Sequence, residues 1–254
     1  MRKLFAAIAA LLVLVIRPLP AAELHVAVAA NFVGTLQQLA PVFEQASAHR
    51  LIISPGSSGQ LYAQIRQGAP FDVFLSADAE KPLLLERDGM TVPGSRFTYA
   101  IGALVLWSSR PGLIDPAGHV LQEQPHRLIG LANPQTAPYG TAAQQVLRKL
   151  ALWDELNQLH RIVIGENITQ TWQFAATGNV DLAFVALSQV LGPDGTISGS
   201  SWLVPTSMYQ PIEQAAVVLE STRQQAAAEA FMSWLRSDPK ALAMIRSAGY
   251  RTVN

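Results

Sequence analysis

Four short segments of the chain combine small residues with neutral hydrogen-bonding side chains, and each lies between an apolar run and a helix-like pattern. They are AANF (29–32), PGSSGQ (55–60), TAPYGT (136–141) and GENITQ (165–170). A helix N-terminus presents several unpaired N–H groups and about half a positive charge. Such a turn can bind an anion without a cation beside it. Because Glu166 is their only charged residue, these segments predict a site for a small anion lined by neutral donors.

The side chains in these segments supply further hydrogen-bond donors. The candidates are Asn31, Ser57, Ser58, Tyr139 and Thr169. A buried dianion loses much of its hydration and needs many such bonds, each worth about 1.5–3 kcal/mol when one partner is charged. Ser, Thr and Asn are also the usual helix N-caps, so capping alone explains any single turn. Four similar turns at equivalent places favour a binding site.

The elements that must position these turns form a repeated strand–turn–helix pattern. Strand-like runs alternate with helical spacing twice, over 23–90 and over 127–190. The segments on either side of the serine turn are typical: RLIISPG (50–56) as a strand and QLYAQIRQG (60–68) as a helix that ends at glycine. Alternating strands and helices predict parallel sheets covered on both faces. We expect Pro41 to kink or break the first helix.

Two extended segments cross between these blocks. TYAIGALVLWSS (98–109) separates them as one long strand, and PIEQAAVVLE (211–220) follows the second. The pattern predicts two doubly wound α/β lobes joined by two crossing segments, with a ligand cleft between them. Ligands of open α/β sheets bind beyond the carboxyl ends of the strands, so the four turns should face that cleft. We expect lobe I to span 23–102 plus 213–254 and lobe II to span 103–212.

The first 22 residues have the order of a secretory signal. Arg2 and Lys3 precede a 13-residue apolar run over 4–16, and PLPAA supplies small residues for cleavage. A permanent membrane helix needs roughly 20 apolar residues. We therefore predict an exported protein cleaved near Ala22, with an anchored N-terminus as the alternative.

The mature chain has a composition that excludes several classes of partner. Removing the signal leaves 15 cations against 18 anions, a net charge of about −3, with no basic cluster. Nucleic acid and anionic membrane are therefore not expected partners. The absence of cysteine excludes disulfides and thiolate metal sites.

A serine hydrolase acting through Ser57 or Ser58 is the competing class of function. PGSSGQ lacks the G-x-S-x-G elbow, and no acid/base motif of fixed spacing accompanies it. No dinucleotide or phosphate-loop fingerprint occurs, so we expect neither an enzyme nor a cofactor. The five histidines are scattered, at positions 25, 49, 119, 126 and 160.

Beyond these patterns, the chain from Glu23 onward resembles the periplasmic molybdate-binding proteins of ABC importers, a branch of the bilobal (type II) periplasmic binding proteins. The order and spacing of five segments carry the resemblance, and none is as specific alone. They are VAVAANF (26–32), PGSSGQLYAQIRQGAPFDVFLSAD (55–78), APYGTAAQQVLRKLALWD (137–154), GENITQTWQFAATGNVDLAFVALSQV (165–190) and the closing AGY (248–250).

The resemblance implies which residues hold an oxyanion. Backbone N–H groups and neutral side chains of the four turns serve in that family, and Ile168 would contribute through its backbone N–H. The implied contacts are Asn31, Ser58, Tyr139 and Ile168, with Ala30, Ser57, Gly140 and Asn167 in second rank. Some members use a tyrosine after the last strand of the second lobe. That position is Ala186 here, so Tyr139 would supply the donor.

The same resemblance implies the function. We expect a periplasmic monomer that captures molybdate or tungstate, with no direct ligand to the metal atom, and reports loading to a membrane permease. Molybdate, tungstate and sulfate carry no proton near neutral pH, whereas hydrogen phosphate would bring an O–H into a site without acceptors. Cavity size must then discriminate against sulfate. Another oxyanion such as sulfate, or a small organic acid, remains the alternative within this class.

Overall fold

The computed structural model describes residues 21–124 and 126–253. The expected signal peptide, residues 1–22, lies almost entirely outside them. Within the described ranges, no helix combines the length and apolar character needed to cross a membrane.

The described residues form ten strands, ten α-helices and two short 3-10 helices. The strands are β1 (Glu23–Ala29), β2 (Arg50–Gly56), β3 (Val73–Leu75), β4 (Phe97–Gly102), β5 (Leu104–Ser108), β6 (Ile129–Ala132), β7 (Ile162–Gly165), β8 (Leu182–Ala186), β9 (Ser200–Leu203) and β10 (Ile212–Val218). The α-helices are α1 (Val33–Ser47), α2 (Ser58–Arg66), α3 (Glu80–Arg87), α4 (Val120–Glu123), α5 (Pro138–Lys149), α6 (Trp153–Gln158), α7 (Ile168–Ala176), α8 (Leu187–Val190), α9 (Gln225–Ser237) and α10 (Pro239–Ser247). The 3-10 helices are Ala30–Phe32 and Thr206–Met208.

The strands build two five-stranded sheets. The first has the order β2-β1-β3-β10-β4 and the second has the order β7-β6-β8-β5-β9. Three strands of each sheet run parallel in the expected strand–helix alternation. The strands that cross between the sheets do not follow it, because β10 pairs antiparallel with β3 and β4, and β5 pairs antiparallel with β8 and β9. The expected parallel pairing therefore holds for three strands of each sheet, and the crossing strands make both sheets mixed.

Several element boundaries also differ from the sequence prediction. The single strand expected over 98–109 is two strands, β4 and β5, which belong to different sheets. The helix expected over 141–153 is α5, and Ala151, at a φ of 61°, separates it from α6. Pro41 lies inside an unbroken α1, because one missing hydrogen bond is outweighed by buried side chains on both sides of it.

Apolar side chains cover both faces of the first sheet. Val26 and Val28 of β1 face a cluster that includes Phe43 of α1 and Phe231 of α9, whereas Ala27 faces the opposite cluster. This alternation follows the period-two geometry of a strand buried on both sides. The turns that follow β1 and β2 are thus attached to a sheet that is packed on both faces.

We expect Phe231→Ala to lower the free energy of unfolding by about 3–5 kcal/mol, because it leaves a cavity in this cluster. Phe231 is fully buried, and its ring lies edge-on to Phe43 with centroids 5.1 Å apart. Urea unfolding measures the change. Leu203→Ala, at a side chain that is 59% exposed, is the control and should change stability by less than about 0.5 kcal/mol. Equal losses for both variants would contradict this assignment of the core.

Candidate functional site

The four neutral turns converge on one small cavity between the sheets. Each follows the carboxyl end of a strand, β1 and β2 in the first sheet and β6 and β7 in the second. The cavity is lined by Ala29, Ala30, Asn31, Gly56, Ser57, Ser58, Ala77, Ala137, Pro138, Tyr139, Asn167 and Ile168. Seven of the eight expected contact residues line it, and Gly140 is not among the lining residues. None of the lining side chains carries a charge.

Direct hydrogen bonds join the two sides of the cleft around this cavity. Three of them link a turn of the first sheet to a turn of the second. They run from Gly59 N to Thr136 O (2.8 Å), from Gln60 Nε2 to Glu166 Oε1 (2.8 Å) and from Thr169 Oγ1 to Ala30 O (3.3 Å). The cleft is therefore closed over the cavity, and the one charged residue of the turns faces Gln60.

Ser58 is held so that its hydroxyl can donate. Its Oγ accepts a hydrogen bond from Ala77 N at 2.9 Å. A hydroxyl has one donor and two acceptor positions, so this bond leaves the hydrogen available to the cavity. Ser57 differs, because its Oγ donates to Gln60 Oε1 at 2.8 Å. α2 begins at Ser58, two residues before the predicted start, so Ser58 also presents the first N–H of that helix.

Tyr139 is held in the same manner from the other side of the cleft. It is buried, and its Oη accepts a hydrogen bond from Gln214 Nε2 at 3.3 Å. The hydroxyl reaches this position because Gly102 has no side chain: a Cβ there would lie 2.0 Å from Tyr139 Oη. The hydroxyl hydrogen again remains free to donate.

At the fourth turn, Asn167 and Ile168 divide the hydrogen bonding between them. The side chain of Asn167 caps α7 by accepting from the N–H groups of Thr169 and Gln170 at 3.0 and 3.1 Å. The N–H of Ile168, the first residue of α7, has no acceptor within the helix. It is therefore the donor of this turn that is left for a ligand.

Two candidates have roles that the sequence prediction did not anticipate. Asn31 directs both amide hydrogens away from the cavity, to Gln214 Oε1 at 2.8 Å and to Tyr250 Oη at 3.0 Å. Its side chain is therefore occupied, and its backbone N–H, in the first turn of a 3-10 helix, is the donor that remains. The N–H of Gly140 bonds to Ala137 O at 2.9 Å. Gly140 is needed for space, because a Cβ there would lie 2.1 Å from Ala132 O.

Sequence reasoning missed the residues that orient these donors, chiefly Gln214, Tyr99 and Tyr250. Tyr99 Oη donates to Gln214 Oε1 at 3.0 Å, and Tyr250 Oη donates to Asn31 O at 2.8 Å. The available signal was a glutamine within the apolar strand β10, since a buried amide must have partners. Tyr250 belongs to the closing AGY segment, which carried no assigned role.

The tyrosines around the cavity stay protonated, and so remain donors, at neutral pH. Burial raises the pKa of Tyr99 and Tyr139 well above 10, and burial raises the pKa of Tyr250 to about 12. None of the histidines lines the cavity. The parts of the chain that the structure describes contain no group of three or more His, Asp or Glu side chains placed to hold a metal ion.

This burial predicts a loss of stability at alkaline pH. A raised folded-state pKa gives stability that is complete below the unfolded value of about 10 and is lost as pH rises through the folded value. Each such tyrosine contributes about 1.4 kcal/mol per pH unit in that window. Tyr99→Phe should therefore flatten the fall in unfolding free energy above pH 10. Urea titrations from pH 8 to 11 measure it, and an unchanged slope would contradict the assigned burial.

Comparison with known proteins identifies the family. Residues 24–251 match the profile of the bacterial extracellular solute-binding proteins. The molybdate-binding protein ModA of Azotobacter vinelandii is 48% identical over 230 residues, which cover 91% of this chain and 90% of the relative. The ModA protein of Rhodobacter capsulatus is 46% identical over 235 residues, covering 92% and 90%.

Solved structures agree with these relationships. The periplasmic molybdate-binding protein of Azotobacter vinelandii superimposes with a TM-score of 0.89 at 50% identity, covering 91% of this chain and 100% of that chain. The sulfate-binding protein SubI of Mycobacterium tuberculosis H37Rv has a TM-score of 0.75 at 14% identity, covering 92% and 88%, and shares the fold. These comparisons confirm the predicted bilobal α/β fold and the family resemblance.

Proposed function

The chain belongs to the bacterial extracellular solute-binding protein family, and we propose that it captures molybdate or tungstate for an ABC importer. It releases the ion unchanged to a membrane permease and catalyses no reaction. Two relatives that are 46–48% identical over more than nine-tenths of the chain are named molybdate-binding proteins. The N-terminal sequence supports export to the periplasm with cleavage near Ala22.

The observation that carries this proposal is the arrangement of two buried hydroxyls. Ser58 and Tyr139 approach one cavity from opposite sides, each with its oxygen occupied by a neighbouring donor and its hydrogen free. In the proposed site these hydrogens, with the backbone N–H groups of Asn31 and Ile168, bind the oxygens of a tetrahedral dianion. Charge-assisted bonds of this kind are about twice as strong as neutral ones.

The same arrangement supports selection of fully deprotonated anions. Hydrogen phosphate would place its O–H among donors, and leaving that group unpaired costs about 1–3 kcal/mol. Sulfate has the same charge and shape as molybdate but is smaller. Cavity size then separates the two, whereas molybdate and tungstate are close in size and both bind.

The lobes move as units in this proposal. Lobe I comprises 23–102 with 213–254, and lobe II comprises 103–212. The bonds across the closed cleft, such as that between Gln60 and Glu166, form when the lobes close over the ion. Closure by a single monomer then presents a joint surface of both lobes to the permease.

A sulfate-binding protein is the second candidate, since a sulfate-binding protein shares the fold. A serine hydrolase receives no support, because no histidine lines the cavity beside Ser57 or Ser58.

Thermal unfolding of the mature, ligand-stripped protein tests the function. Molybdate or tungstate at 100 times its dissociation constant should add about 2.7 kcal/mol, which raises Tm by roughly 5–11 °C. Sulfate, phosphate and nitrate at the same concentration should produce little shift. An equal shift in Tm with sulfate would mean that the site does not discriminate against sulfate. No shift with any of the five anions would contradict the proposed function.

Calorimetric titration of variants tests the two hydroxyls. Ser58→Ala and Tyr139→Phe should each weaken molybdate binding by about 1–3 kcal/mol, because each removes one donor to a charged ligand. Ser57→Ala is the matched control: its hydroxyl hydrogen is already donated to Gln60, so affinity should change little while stability falls. Equal affinity losses for Ser57→Ala and Ser58→Ala would contradict the assignment of Ser58 as the donor and Ser57 as a helix-capping residue.

Asn31→Ala tests the side chain that turns away from the cavity. It leaves the backbone N–H in place but removes two donors from the network of Gln214 and Tyr250. We expect molybdate binding to weaken by about 1–3 kcal/mol, because Gln214 and Tyr250 lose a hydrogen-bond partner and are held less firmly. Unchanged affinity would show that the network does not support the site.

A further inference from the structure

Gln214 is a fully buried glutamine in an apolar strand, and its amide joins three polar side chains. Its Oε1 accepts hydrogen bonds from Asn31 Nδ2 at 2.8 Å and from Tyr99 Oη at 3.0 Å, and the Tyr99 hydroxyl also reaches Ser76 O at 3.2 Å. Its Nε2 donates to Tyr139 Oη at 3.3 Å. Burying an amide costs free energy unless its polar groups are paired, so these partners determine which way round the amide lies.

The direction of these hydrogen bonds is set at the far end of the network by a backbone carbonyl. Tyr250 Oη donates to Asn31 O at 2.8 Å, and it therefore accepts from Asn31 Nδ2 at 3.0 Å. The second Nδ2 hydrogen goes to Gln214 Oε1, which leaves Gln214 Nε2 facing Tyr139. Because a carbonyl can only accept, this bond orients the Asn31 amide and, through it, the Gln214 amide. Ser188 Oγ also lies at this end of the network, 2.8 Å from Tyr250 Oη and 3.2 Å from Asn31 O.

We propose, on the basis of the oxyanion site described above, that Gln214 is the positioning residue that makes the site selective for fully deprotonated oxyanions. By donating to Tyr139 Oη, it leaves the hydroxyl hydrogen with no acceptor among the described residues. That hydrogen is directed to the anion. A protonated oxyanion, which needs an acceptor at this place, is disfavoured.

The packing at Gly102 supports a contact built for this purpose. A Cβ at Gly102 would lie 2.0 Å from Tyr139 Oη and 2.9 Å from Gln214 Nε2. The tyrosine hydroxyl and the amide thus occupy the space beside a glycine at the end of β4, where the chain passes to the second sheet. Neither group can rotate away into solvent, because both are buried.

The titratable side chains that hydrogen-bond to the Gln214 amide are neutral at physiological pH. Tyr99 and Tyr139 contact it directly, and burial raises the pKa of both tyrosines. Asp78 is a charged group whose field reaches Tyr99, and it pairs with Lys81 at 2.9 Å. Among the described residues, no ionised side chain hydrogen-bonds to the Gln214 amide. The direction of the Tyr139 O–H therefore depends on the neutral donor Gln214 Nε2.

Gln214→Glu replaces the donor that faces Tyr139 Oη with an acceptor, with little change in side-chain shape. At pH 8 the introduced carboxylate accepts from Tyr139 Oη, which turns the hydroxyl hydrogen away from the anion. Calorimetry should show molybdate binding weakened at least about 10-fold, because a hydrogen bond to a charged ligand is lost and the new carboxylate repels the dianion. The preference for molybdate over hydrogen phosphate should fall as well.

The pH profile separates this role from a purely structural one. A buried carboxyl has a raised pKa, so near pH 6 it regains a proton and can donate to Tyr139 again. Molybdate affinity of Gln214→Glu should then recover toward the wild-type value, while wild-type affinity stays level from pH 6 to 8. Gln135→Glu adds the same charge at an exposed glutamine by the cleft and should show neither loss nor recovery.

A double-mutant cycle covers the case in which Gln214→Glu fails to fold. Gln214→Met removes the amide without adding charge. As a single substitution, Gln214→Met should weaken molybdate binding. In the Tyr139→Phe background it should weaken molybdate binding by less than about 2-fold further, since effects of residues that act through one contact are not additive. Additive losses would overturn the inference.

The wild-type titration keeps this inference distinct from the proposed function. If the wild-type protein binds no oxyanion, the proposed function itself is contradicted. A wild-type protein that binds molybdate, with a Gln214→Glu variant of unchanged selectivity and a level pH profile, overturns the role of Gln214 alone.

Discussion

A dianion that enters a cleft without a neighbouring cation has only hydrogen-bond donors to replace its hydration. Every hydroxyl near it must therefore have its hydrogen directed inward, since an oxygen lone pair in the same place would repel the ion. In this protein the two candidate hydroxyls are each held by a second donor. Ala77 N fixes Ser58 Oγ and Gln214 Nε2 fixes Tyr139 Oη. Much of the surrounding structure serves to place these two outer donors.

That requirement explains why polar groups are buried so deeply here. Asn31, Gln214, Tyr99 and Tyr250 form a connected network whose hydrogen bonds are 2.8–3.0 Å long. A fully paired network stiffens its surroundings, whereas a partly paired one is costly. Ser188, next to the second sheet, also donates to Asn31 O at 3.2 Å. The network thus spans both sides of the cleft, and it links donor orientation to the lobe closure that we propose.

The strand–turn–helix repeat was enough to predict the two lobes and the four turns, because periodicity and helix capping are local properties of the sequence. It did not predict the antiparallel crossing strands, since 98–109 reads as one apolar run and only the sheets separate β4 from β5. Ser58, Tyr139 and Ile168, the contacts that the resemblance implied, line one cavity, and their binding of an oxyanion stays a prediction. The direction of the Asn31 amide depends on Gln214 and Tyr250, which lie 183 and 219 residues away in sequence. No local pattern specifies such a contact.

A crystal structure of the protein with bound molybdate, located by the anomalous scattering of molybdenum, tests the central claim most directly. The account predicts a single molybdenum peak enclosed by the four turns. Ser58 Oγ, Tyr139 Oη and the N–H of Ile168 should lie about 2.7–2.9 Å from its oxygens, with the Asn31 amide still directed to Gln214. A peak elsewhere, or a site in which the two hydroxyls turn away from the anion, would contradict it.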